Sequence, residues 1–135
     1  MTQAIATILV SCALCTAPCC PLPMMTLEQF VRGEAIARGV DPDRAWATVM
    51  LESSGDPLAR GDDGMAWGLW QFRGADSSNT WAWLCGVTGH AEWDDDANRD
   101  DWYRSTIVAL DAIALGYGDH WAGYRLAGDL LDTLP

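Results

Sequence analysis

The sequence contains no lysine. Its eight basic residues are all arginine, against nineteen Asp and Glu, and the formal net charge is −11. A chain this acidic is repelled by phosphate backbones, which excludes the usual nucleic-acid binder. It also makes an anionic membrane surface a poor partner for the folded part. Phenylalanine is scarce, with two residues against eight Trp. Histidine is scarce too, and His90 and His120 lack metal-ligand spacing, so neither is assigned a role and no metal or cofactor is expected in the folded part. There is no internal repeat, and no sustained strand alternation outside a short hairpin in 66–73. What remains is a chain of 135 residues, half of them hydrophobic: one domain with a packed core, and not a disordered chain.

Residues 2–24 carry no charge and hold four of the five cysteines, Cys12, Cys15, Cys19 and Cys20. The apolar run Ala4–Ala17 is too short to span a bilayer, which takes about 20 residues. It has the length of a signal-peptide core without the positive start, and Leu9-Val10-Ser11-Cys12 resembles a lipoprotein cleavage box. Three readings stay open: an export or anchoring segment, a thiolate site for zinc or an iron–sulfur cluster, and an apolar tail whose cysteines are buried or paired. Pro18, Pro21 and Pro23 punctuate the chain. The expected division is therefore a Cys-rich tail over 1–24 and a folded domain over 25–135. Cys85 stands alone and reads as a core residue.

From Met25 the pattern is helical. Thr26-x-x-Gln29 is a capping box, and Leu27, Phe30, Val31 and Ala35 share one face. Asp41 with Pro42 starts a second helix that carries Trp46, Val49 and Met50 inward and stops at Ser54-Gly55. Residues 55–79 read as irregular. A short helix is expected over Thr80–Leu84. The run Asp94-Asp95-Asp96 opens another that reaches Leu115, and a last pair covers Asp119–Ala127 and Asp129–Leu134. The expected fold class is mainly α with at most a short β-hairpin.

One segment carries chemistry. Glu52 lies near the C-terminal end of an apolar helix, with no other acid between Asp43 and Asp56. The helix dipole and apolar neighbours such as Met50 and Leu51 would both raise the pKa of its carboxyl, toward what a general acid needs. After it come Ser53, Pro57, Ala59 and the turn Ala66-x-Gly68-Leu69-x-Gln71. These residues, in this order and at these offsets, resemble the soluble lytic transglycosylases of the lysozyme-like superfamily. The likeness covers roughly residues 26–73 and includes the lead-in Ala35-Ile-Ala-Arg-Gly-Val-Asp-Pro. The distance from Glu52 to Gln71 is one residue longer than the family's, which places an insertion in the Gly61–Gly64 turn. Trp70 stands where the family has Met. The family's later Ala-Tyr-Asn-x-Gly motif is only echoed by Gly123-Tyr124-Arg125-Leu126-Ala127-Gly128.

The resemblance implies a lysozyme-like helical domain that cleaves the β-linkage between N-acetylmuramic acid and N-acetylglucosamine in the peptidoglycan glycan strand. Glu52 would be the acid and then the base, giving an anhydro-muramyl product. Ser53 would orient Glu52 or a substrate amide, Gln71 would bind substrate or shape the groove floor, and Tyr124 would position Glu52. Trp67, Trp70, Trp81 and Trp83 are candidates for stacking on sugar rings, with Trp70 foremost; for each, a place in the core is an equal alternative. A hydrolytic variant needs a second carboxylate, for which Asp62, Asp63 and Asp94–Asp96 are available. A third reading is an inactive wall-binding or virion module. A single small domain with an apolar tail suits a bacteriophage protein that drills the wall from the virion, lyses the host, or contacts tail proteins or membrane through 1–24. A small bacterial protein exported to the cell envelope is the other expectation.

Overall fold

A computed structural model describes residues 24–135, so every expectation for the Cys-rich tail falls outside the described residues. The domain is mainly helical, with a small three-stranded antiparallel sheet. In chain order come α1 (Leu27–Ala37), α2 (Pro42–Ser53), strands β1 (Arg60–Gly61), β2 (Ala66–Trp67) and β3 (Phe72–Arg73), then α3 (Thr80–Val87), α4 (Trp102–Ala114) and α5 (Ala122–Asp132).

Local chemistry sets the first two helices. The Thr26 hydroxyl accepts from the Gln29 N–H (3.1 Å), and the Gln29 side chain accepts from the Thr26 N–H (2.9 Å), closing the capping box. Asp41 accepts from the N–H groups of Asp43 (2.9 Å) and Arg44 (3.2 Å), with Pro42 in the first helical position. α2 ends on Ser54 in the left-handed region, at φ 55°. Ser54 is exposed and its side chain is not needed there. Ser54→Gly should therefore raise stability by about 0.5–1 kcal/mol in chemical denaturation, because Gly adopts this conformation without strain.

α4 is the central helix: every residue from Ser105 to Leu110 is buried, with Ala112 and Ile113. It packs between α1 and α3, while α2 packs on α5. Beside it lies an aromatic cluster in which Phe72 meets Trp81 (centroids 4.9 Å apart) and Trp121 (5.5 Å) edge-on. The buried indole N–H groups find acceptors: Trp70 on Thr106 Oγ1 (3.0 Å), Trp121 on the Trp70 carbonyl (2.9 Å), Trp81 on the Trp93 and Asp95 carbonyls (both 3.0 Å). Cys85 is a core residue, and burial pushes its thiol pKa up to about 12, which leaves it unreactive near neutral pH.

Five details depart from the sequence pattern. Met50, expected inward on α2, is exposed, and the inward face is Ala45, Thr48, Val49 and Ser53. The sheet has a third strand, β1, in a stretch read as irregular; two residues are too few to show alternation. α3 runs to Val87, one turn past the expected end. The Asp94–Asp96 run does not open α4. Asp95 instead caps a 3₁₀ segment over Asp96–Asp100, and Asp101 caps α4, accepting from Tyr103 (3.0 Å) and Arg104 (3.1 Å). The expected last pair of helices is one helix, α5. Gly128 is not a break in it: a Cβ there would stand 2.6 Å from the Arg44 guanidinium carbon, so glycine lets α5 lie close against α2.

Candidate active site

Three helix ends and the sheet converge on a cleft of about 470 Å³. Glu52, in the last turn of α2, is half-buried in it. The second residue of α5, Gly123, donates its N–H to Glu52 Oε1 at 2.9 Å. The first N–H groups of a helix have no partner within it, so this bond satisfies one of them and fixes the carboxylate. Burial is the largest influence on Glu52 and raises its pKa. The Gly123 N–H opposes that, and the charge of Asp62 adds to it. The net direction is upward, toward a carboxyl that keeps its proton at higher pH than an ordinary glutamate. The shelter does not come from Met50 and Leu51, as the helix pattern suggested. Both are exposed, and the cover is supplied by α5 and the sheet.

Gly123 has a steric part as well. A Cβ built on it would stand 2.7 Å from Glu52 Oε1 and 3.3 Å from Cγ and Cδ. Gly123→Ala must therefore move the carboxyl, while alanine in the first turn of α5 is not otherwise unfavourable. If Glu52 acts in glycan cleavage, this variant should lose about tenfold or more in rate with little change in melting temperature, measured side by side on one preparation.

The far wall comes from the sheet. Asp62 lines the cleft, and its carboxylate pairs with the Arg73 guanidinium, which lines it too. Gln71 also lines it. Its amide nitrogen donates to the carbonyls of Gly68 (2.9 Å) and Ala59 (3.4 Å), so its side chain ties down the loop that makes the floor. Among the described residues, the non-glycine positions with positive φ are Ser54, Asp62, Asp63, Gln71 and Asn79. Each either lines the cleft or lies within two residues of one that does, Glu52 and Thr80 included. Left-handed backbone costs an ordinary residue about 1–2 kcal/mol, and such strain gathers where a site must be held in one shape.

The structure thus brings together Glu52, Gln71 and Asp62 from the sequence-nominated residues. Ser53, Trp70, Trp81, Tyr124, Asp63 and Asp96 are not brought into the cleft. Ser53 is buried, and its hydroxyl donates to the Val49 carbonyl (3.1 Å) in its own helix. Trp70 is fully buried in the aromatic cluster and cannot stack on a ligand, and Trp81 is buried as well. Tyr124 does not line the cleft: its ring lies under the Arg44 guanidinium (3.7 Å), and the bond that positions Glu52 comes from its neighbour's backbone. Asp63 is exposed outside the cleft, and Asp96 is bound to the Ala75 N–H (3.1 Å) and to Arg99. Arg73, His120 and Gly123 escaped the sequence reading. Gly123 carried the one available signal, its place beside Tyr124 in the echoed motif.

A scan against protein-family models found no match to this chain, and searches of curated proteins and of solved structures found none either.

Proposed function

We propose that this domain is a peptidoglycan lytic transglycosylase of lysozyme-like type, with Glu52 as its general acid and base. One observation carries the reading: a single sheltered glutamate, held by a helix N-terminal N–H in a cleft of about 470 Å³, with its pKa raised. The sequence likeness around Glu52-Ser53 and Ala66–Gln71 supplies the substrate class.

Protonated Glu52 gives its proton to the bridging oxygen as the bond from the muramyl C1 to that oxygen breaks. Positive charge develops at C1, and the muramyl N-acetyl oxygen stabilises it. Glu52, now a carboxylate, takes the proton of the sugar's own C6 hydroxyl. The freed oxygen bonds to C1, and an anhydro-muramyl end leaves. The Gly123 N–H holds the carboxylate in place for both transfers.

Asp62 favours a second reading. It is a carboxylate in the same cleft whose charge acts on Glu52, and in a hydrolase such a group would take a proton from water attacking C1. Mass spectrometry of the products of purified peptidoglycan separates the two. Anhydro-muramyl ends are the expected result, and reducing muramyl ends would overturn transglycosylation in favour of hydrolysis by Glu52 and Asp62. No soluble product from folded protein would overturn both and leave a wall-binding or virion module.

A further inference from the structure

We infer that Trp83 and His120 form a sugar-stacking platform that extends the Glu52 cleft along the glycan strand. This rests on the reading of the cleft as a glycan site. Thr80 and His120 both line the cleft. Trp83 lies one helical turn after Thr80 on α3, and so shares its face. The Trp83 ring stands 4.9 Å from the His120 ring, so the indole continues the wall that His120 begins. Tyr117 braces the indole edge-on from another side (5.2 Å, 77°). Even so, Trp83 is 43 % exposed.

The other tryptophans have different surroundings. Trp70, Trp81 and Trp121 belong to the core. Trp67 is held between the guanidinium groups of Arg60 (4.1 Å) and Arg99 (3.9 Å). Trp93 stacks on His90 (4.3 Å, 3°), Trp46 packs against the core, and Trp102 sits against Phe30. Trp83 alone combines a braced ring, an open surface and a neighbour in the cleft wall. The matching ligand surface is the C–H face of a β-linked N-acetylhexosamine, whose equatorial substituents leave it flat and apolar. Such a strand, laid across Glu52, would place a ring beyond the scissile bond on the indole.

The test uses the full chain carrying Glu52→Gln, so that ligand is bound and not cut, with chitohexaose as the probe. The indole N–H signal that disappears in Trp83→Phe should shift on titration. Adding Trp83→Ala should weaken binding about three- to tenfold, and Trp83→Phe should keep most of it. Saturable binding with an unmoved Trp83 signal and equal affinity in the Trp83→Ala protein would overturn the platform while leaving the glycan cleft standing. No saturable binding by the Glu52→Gln protein would overturn the cleft reading and the platform with it.

Discussion

Glu52→Gln should lower peptidoglycan cleavage by about 10²–10⁴-fold, the contribution a positioned general acid makes. Glutamine keeps the oxygen that accepts from Gly123 and the volume of the side chain, but it has no proton to give. The same change should raise stability near neutral pH, and the sign follows from linkage. The folded protein holds the Glu52 proton more tightly than the unfolded chain, because burial disfavours the charge. Below the ordinary glutamate value of 4.5 both states are protonated and Glu52 carries no penalty. As pH rises past that value the unfolded chain ionises first, and stability is lost until pH passes the raised folded pKa. The gap between Glu52→Gln and the parent should therefore open above pH 4.5 and level off beyond the folded pKa. Parallel melts across pH and rates of muropeptide release check both parts. Equal stability at every pH would mean that the carboxyl is solvated.

The largest stability effect is expected at Arg99, which is 1 % exposed. Its guanidinium donates to the carbonyls of Asp96 (2.9 Å), Met65 (3.2 Å) and Phe72 (3.3 Å), and lies over the Trp67 ring. It thereby joins the 3₁₀ segment before α4 to β3 and the turn before β2. Arg99→Met removes these donors and leaves carbonyl oxygens unpaired in the interior, which should cost about 3–5 kcal/mol in chemical denaturation. Arg99→Lys should recover little, since a point charge cannot reach several carbonyls in one plane. Because the turns between the strands carry Asp62 and Gln71, residual folded Arg99→Met protein should also cleave more slowly. A loss under about 1 kcal/mol would show that the clamp is dispensable.

The sequence made the helical frame legible where local chemistry decides it. Thr26-x-x-Gln29 and Asp41-Pro42 are caps whose bonds form within four residues, and their helices start where the pattern put them. The residues that follow Glu52 at fixed offsets singled it out, and it does line the cleft. What stayed hidden depends on partners far along the chain. Gly128 looks like a helix break until Arg44 is seen against it, and Gly123 is unremarkable until Glu52 lies on its α-carbon. Trp70 suited a groove wall as well as a core, because an indole serves either. Its burial is decided by Thr106 and Trp121, on other elements. Among Asp62, Asp63 and Asp94–Asp96, adjacency in sequence could not tell which carboxylate faces Glu52. Only the folded turn shows it: Asp62 lines the cleft and Asp63 does not.

A protonated Glu52 in a sheltered cleft is proposed to cut the glycan strand. The most direct measurement is the pH profile of peptidoglycan solubilisation, taken for the parent and for Glu52→Gln together. The parent rate should fall on the alkaline side with a midpoint above the ordinary glutamate value of 4.5, as Glu52 loses its proton, and Glu52→Gln should lack that limb and most of the rate. A Glu52→Gln protein that cleaves at the parent's rate with the parent's pH profile would contradict the account.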